Sequence, residues 1–72
     1  MIQVTTNFYS KDSGKLWSKT EHRNVTIQRF IETQEKILEE DETIEILDQT
    51  PYMAIFKRKK GDSFDIFICD NI

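Results

Sequence analysis

One cysteine, one histidine, one proline and two glycines are all that this 72-residue chain holds of the residue types that staple, ligate or interrupt a fold. Cys69 has no second cysteine to pair with, which excludes a disulfide scaffold. Cys69 and His22 together fall short of the four Cys/His ligands of a usual tetrahedral zinc site, so no metal is expected. Ser13-Gly14-Lys15 resembles a fragment of a phosphate loop but lacks the other glycines and the preceding strand, so no cofactor is expected either. Apolar residues never approach the roughly 18 in succession that a membrane-spanning helix needs. The opening MIQVTTNFYSKDSGK has neither the basic start nor the apolar stretch of a signal peptide, so a cytoplasmic location without membrane contact is expected. The Asn24-Val25-Thr26 sequon then carries no weight.

What is present is charge, unevenly placed. Residues 1–31 carry a net +3, residues 32–48 a net −7 and residues 49–72 a net +1, so the overall −3 conceals two basic regions on either side of an acidic one. A single domain over 1–72 is expected, with no internal repeat or linker to divide it. A chain this short buries only about 60% of the surface it exposes when unfolded. Without a disulfide or metal, its remaining routes to extra stability are oligomerisation and a partner.

The hydrophobic pattern gives an α+β fold. Ile2, Val4, Thr6 and Phe8 alternate with Gln3, Thr5, Asn7 and Tyr9, the period of a half-buried strand. Lys11-Asp12-Ser13-Gly14 predicts a turn into a second strand over 15–23, and a three-residue loop there pairs Tyr9 with Trp17. From Thr26 the period lengthens. Ile27, Phe30, Ile31, Gln34, Ile37 and Leu38 mark one face of an amphipathic helix of about fourteen residues, although Glu39-Glu40-Asp41-Glu42 would put negative charge on the negative end of its dipole. Strands are expected over 43–48, 52–59 and 63–69, the last two joined around Lys60-Gly61. A three-residue loop there pairs Phe56 with Phe64, Ala54 with Ile66 and Tyr52 with Ile68. The expected fold is a small antiparallel sheet of about five strands in ββαβββ order. One amphipathic helix packs on a face built from Ile2, Val4, Phe8, Leu16, Phe56, Phe64, Ile66 and Ile68.

No residue pattern carries reaction chemistry. Cys69 has only the distant His22 as a base, and the acidic run lacks the alternating oxygen ligands and central glycine of a calcium loop, so no enzyme is expected. Two surfaces rise above this background. Met53, Ile55, Phe67 and Cys69 fall opposite the expected core, forming a surplus apolar face that predicts contact with another protein, chiefly a second copy of the chain. Glu39, Glu40 and Glu42 add an acidic surface for a basic partner, as in an acidic inhibitor. The alternative is weak nucleic-acid binding, with Tyr9 and Trp17 as stacking rings and Lys15, Lys19 and Arg23 as phosphate contacts on one face of the first hairpin. The expectation is a small non-enzymatic binding or regulatory protein.

Overall fold

A computed structural model describes residues 1–72, the side chain of Leu16 excepted. Two tight turns set its architecture. Gly14, at φ +68°, closes the loop Lys11-Asp12-Ser13 between strands β1 (Ile2–Ser10) and β2 (Gly14–Arg23). Gly61, at φ +57°, opens a two-residue turn between β4 (Met53–Lys60) and β5 (Ser63–Asn71). A positive φ at the first of two turn residues is the glycine position of a two-residue hairpin.

Between the hairpins run helix α1 (Ile27–Lys36) and strand β3 (Glu42–Gln49). All five strands join one antiparallel sheet in the order β2-β1-β5-β4-β3, so the helix carries the chain from one edge of the sheet to the other. The fold is α+β, dominated by strand, and no helix is long and apolar enough to cross a membrane among the described residues.

The helix starts where the sequence places it. Thr26 Oγ1 accepts a hydrogen bond from the Arg29 backbone N–H at 3.1 Å, satisfying one of the free donors of the first turn. It ends after ten residues rather than about fourteen, with Ile37 as its C-cap. The acidic run explains the early stop, since four carboxylates at a helix C-terminus would face its negative pole. The chain instead turns sharply. Glu42 N–H donates to the Glu39 carbonyl at 3.0 Å, and Glu39 N–H donates to Glu42 Oε1 at 3.1 Å.

Ile27, Phe30 and Ile31 of α1 pack on Ile2, Val4, Ala54, Phe56, Phe67 and Cys69, with Ile44 against the margin. Phe56, Phe67 and Phe30 form its aromatic centre. Phe56 and Phe67 stack at 4.7 Å, and Phe30 meets them at 6.1 and 6.0 Å.

This core corrects the sequence reading of β5. Ile2, Val4 and Phe56 lie under the helix as expected, but Phe64, Ile66 and Ile68 point away from it, and Phe67 and Cys69 take their place. The pairs Phe56–Phe64, Ala54–Ile66 and Tyr52–Ile68 do not form. The two-residue turn makes Lys60 face Ser63, and the ladder then matches Phe56 with Phe67, Ala54 with Cys69 and Ile55 with Ile68. A register change of odd parity turns a strand over, which is what separates the two readings. The expected core position of Leu16 lies outside the described side chains.

Candidate functional site

The sheet has two faces and one helix. Everything packed by α1 lies on one face, and no element covers the other. Strand pairing lays out this open face in four rows. The first, nearest the two hairpin turns, runs Thr43, Lys59, Phe64, Tyr9, Lys15. The second runs Glu45, Lys57, Ile66, Asn7, Ser18, and the third Asp48, Ile55, Ile68, Thr5, Thr20. The fourth runs Met53, Asp70, Gln3, His22.

Its middle is apolar. Ile55, Ile66 and Ile68 are half-buried beside Met53, while Tyr9 stacks on Phe64 at 5.0 Å and Lys57 Nζ sits 4.5 Å from the Phe64 ring centre. The charges are sorted along the strands. Lys15, Lys57 and Lys59 occupy the two rows near the turns, and Asp48 and Asp70 the two rows at the far end, with Glu45 placed directly across from Lys57. Among the described residues, none of these six charged side chains takes part in an ion pair; the four ion pairs present involve other residues.

The helix-bearing face shows the contrast. Arg58 donates to Gln34 Oε1 and to Asp65 Oδ2, each at 2.9 Å, and its Nε lies 3.6 Å from Glu42. Its guanidinium also stands 5.4 Å from the Phe67 ring centre. This network is partly buried and ties α1, β3, β4 and β5 together. It is structural in character, although Asp65 Oδ1 is closed off from solvent with no hydrogen-bond partner among the described residues. Beside it, Phe8, Trp17, Lys19, Phe30, Gln34 and Ile37 help to line a shallow groove of about 380 Å³.

The residues singled out from sequence divide between these faces. Met53 and Ile55 are on the open face, as expected. Phe67 is only 6% exposed and belongs to the core with Cys69, so neither is an interface residue. Burial pushes the Cys69 thiol up to about 11, helped by the nearby Asp70 carboxylate, which leaves the thiol protonated and unreactive near neutrality.

Glu39, Glu40 and Glu42 stay together, but Glu39 is taken up by Lys60 at 2.8 Å and Glu42 by Arg58, so the acidic surface is partly neutralised from within. The Glu39 hydrogen bond, with the charges of Asp41, Glu39 and Glu42, raises the Lys60 pKa.

The aromatic and basic set of the first hairpin is split. A register shift between Phe8 and Tyr9 gives β2 an extra residue, so Trp17 faces Phe8, stacked at 5.5 Å, rather than Tyr9. Trp17, Lys19 and Arg23 are thereby on the helix side, and Tyr9 and Lys15 on the open side. No single surface presents all five.

Sequence reasoning missed Phe64, Ile66 and Ile68 as surface residues, together with the sorted charges around them. The signal was the pair of charges that interrupts β4 and β5. Arg58 and Asp65 are directly opposite in the ladder, and matching them fixes the register that exposes the isoleucines.

Compared with protein-family models, curated proteins and solved structures, the chain matches none.

Proposed function

We propose that the protein is a non-enzymatic binding module whose working surface is the open sheet face. One observation carries this reading: Ile55, Ile66, Ile68 and Met53 form a continuous apolar centre on a face that no element of the chain covers. Contiguous apolar area of this kind marks contact surfaces on small proteins. A 72-residue domain also gains the stability that its single helix cannot supply when a second layer closes over its sheet. The surrounding charges give the contact orientation and selectivity more than strength.

A photoreactive residue tests the surface whatever covers it. Placed at Ile68, in the middle of the open face, it yields a defined covalent adduct when cells producing the protein are irradiated. Placed at Glu35, on the exposed side of α1, it yields none. Adducts from position 35 alone, or from neither position, would refute the assignment.

Nucleic-acid binding keeps a smaller footing on the same face, where Tyr9 and Phe64 lie among Lys15, Lys57 and Lys59. Their rings already stack on each other, and Lys57 stands over Phe64, so the platform is occupied from within. Salt-sensitive retention of a single-stranded oligonucleotide that is lost in Tyr9→Ala would favour that reading.

A further inference from the structure

Strand β2 is an edge of the sheet, paired with β1 on one side only, and no backbone hydrogen bond among the described residues runs to its outer side. We infer that this edge pairs with β2 of a second copy, antiparallel and with Thr20 opposite Thr20, about a twofold axis normal to the sheet. The contact uses the edge and leaves the open face free, so it goes beyond the proposed function and does not depend on it.

Two independent features of β2 give the same register. The first is regularity. β2 pairs with β1 without interruption from Trp17 to Arg23, and the irregularity between Phe8 and Tyr9 falls outside that stretch. Two copies of the stretch overlap completely only when Thr20, its midpoint, lies on the axis. The second is charge. Directly opposite residues of an antiparallel pair share a face of the sheet, so Trp17, Lys19, Glu21 and Arg23 meet the same row of the other copy on the helix side. With Thr20 on the axis, Lys19 of each copy lies opposite Glu21 of the other, Trp17 opposite Arg23 and Ser18 opposite His22. No like charges face each other. Moving the axis to either neighbouring residue sets Lys19 on Lys19 or Glu21 on Glu21. The edge is thus complementary to itself in one register, as an isologous contact must be.

The side chains along this edge are available for the contact. Every described residue of β2 is exposed except Glu21, which is half-buried. Trp17 stacks on Phe8 at 5.5 Å yet remains 45% exposed, and Arg23 of the other copy meets the outer face of its ring as a cation over an aromatic. Glu21 holds Arg23 of its own strand at 3.1 Å, and Lys19 of the other copy gives that carboxylate a second cation. The opposite edge shows the contrast. Strand β3 carries Glu42, Glu45 and Asp48 without a cation, and its ladder is irregular between Ile46 and Asp48, the kind of charged and broken edge that resists pairing. Pairing through β2 joins the two sheets into one, with both helices on one side and both open faces continuous on the other. An edge contact over this length buries less than the ~800 Å² per partner of a tight complex, so the dimer is a weak one.

Mass reads the dimer and introduced cysteines read its register. Sedimentation equilibrium of the purified chain over about 10 to 500 μM should show a monomer passing to a dimer. Under mild oxidation Thr20→Cys should form a disulfide with its own copy, because directly opposite strand residues lie within disulfide reach and the native Cys69 is fully buried. Ser18→Cys and His22→Cys should each stay unlinked alone and link to each other when mixed. Lys19→Glu and Glu21→Lys, each confirmed as folded by circular dichroism, should each weaken dimerisation about tenfold or more. Mixed in equal amounts they should pair with each other, and combined in one chain they should restore the dimer.

A wild type that stays monomeric throughout overturns the inference. So does a dimer whose cysteine links follow another register, or one that neither charge variant weakens. Species that grow beyond a dimer with concentration would place β2 against β3 of the next copy and overturn the twofold pairing. The photocrosslink at position 68 is read separately: an adduct there in Lys19→Glu protein supports the open face whether or not the edge pairs, and its absence leaves the edge dimer standing.

Discussion

Phe67 and Ile68 are neighbours in β5 that face opposite ways, and truncating each in turn tests the register on which both faces depend. Phe67→Ala removes a ring that is 6% exposed, stacked at 4.7 Å on Phe56 and set edge-on to Phe30 at 6.0 Å. Emptying a core site of that size costs about 3–5 kcal/mol, part of it from the cavity left behind. Ile68→Ala removes a half-buried side chain with no layer above it, and in dilute, monomeric protein this costs about 1 kcal/mol. A domain of this length holds a reserve of roughly 4–10 kcal/mol, so the first change takes much or all of it and the second a small part. Urea titration followed by circular dichroism reads the difference. With a slope near 1 kcal/mol per molar, Phe67→Ala lowers the midpoint by about 3 M or leaves the protein unfolded in buffer, whereas Ile68→Ala stays within about 1 M of the wild type. A larger loss in Ile68→Ala than in Phe67→Ala would mean that β5 is turned over, with Phe67 rather than Ile68 on the open face.

Thr26→Ala removes the side-chain cap of α1 and should cost about 1 kcal/mol, a fall of about 4–8 °C in melting temperature by calorimetry, while Thr26→Ser keeps most of it. Arg58→Ala leaves the Asp65 carboxylate buried without its ion-pair partner and releases Gln34; a loss of about 2 kcal/mol in chemical denaturation is expected, and a loss under 0.5 kcal/mol would show the network to be ornamental. The Cys69 thiol, raised to about 11, should react with a disulfide reagent at pH 8 roughly two orders of magnitude more slowly than a free thiol. Because its folded pKa lies above its unfolded one, the stabilisation it contributes is complete below about pH 9 and is lost as the pH rises toward 11; Cys69→Val should flatten that part of the stability profile.

The sequence reveals the element order of the fold through its periods and turn residues. The alternation of residues 2–9, the three-and-four spacing from Ile27 and the turn chemistry at Gly14 and Gly61 lead directly to a helix on an antiparallel sheet. It misleads where parity decides. Strand β5 reads Ser-Phe-Asp-Ile-Phe-Ile-Cys, apolar on both sides, so either face could serve as core. Asp65 looks like an outward residue until its inward partner Arg58 is found on the neighbouring strand. One turn residue therefore exchanges Phe67 and Cys69 for Phe64, Ile66 and Ile68. The first hairpin fails in the same way, because a single extra residue in β2 moves Trp17 to the other side of the sheet from Tyr9. Helix length is misjudged for an electrostatic reason: the apolar spacing continues through Ile37 and Leu38, but the carboxylates that follow oppose another turn. The open face is a property of the assembled sheet. Its sorted charges come from β1, β2, β3, β4 and β5 and become neighbours only once strand order and register are set.

Thiol labelling in intact cells shows whether the open face is covered there, since the native Cys69 is fully buried and contributes little background. Ile66→Cys, in the centre of the open face, and Ile37→Cys, 57% exposed at the end of α1, are each treated with a cell-permeant maleimide. They are then compared with the same variants purified and diluted until monomeric. A covered open face predicts that position 66 is labelled at least tenfold more slowly in cells than in dilute solution while position 37 is labelled equally in both. Equal labelling of position 66 in both settings would contradict the claim that this face is where the protein binds.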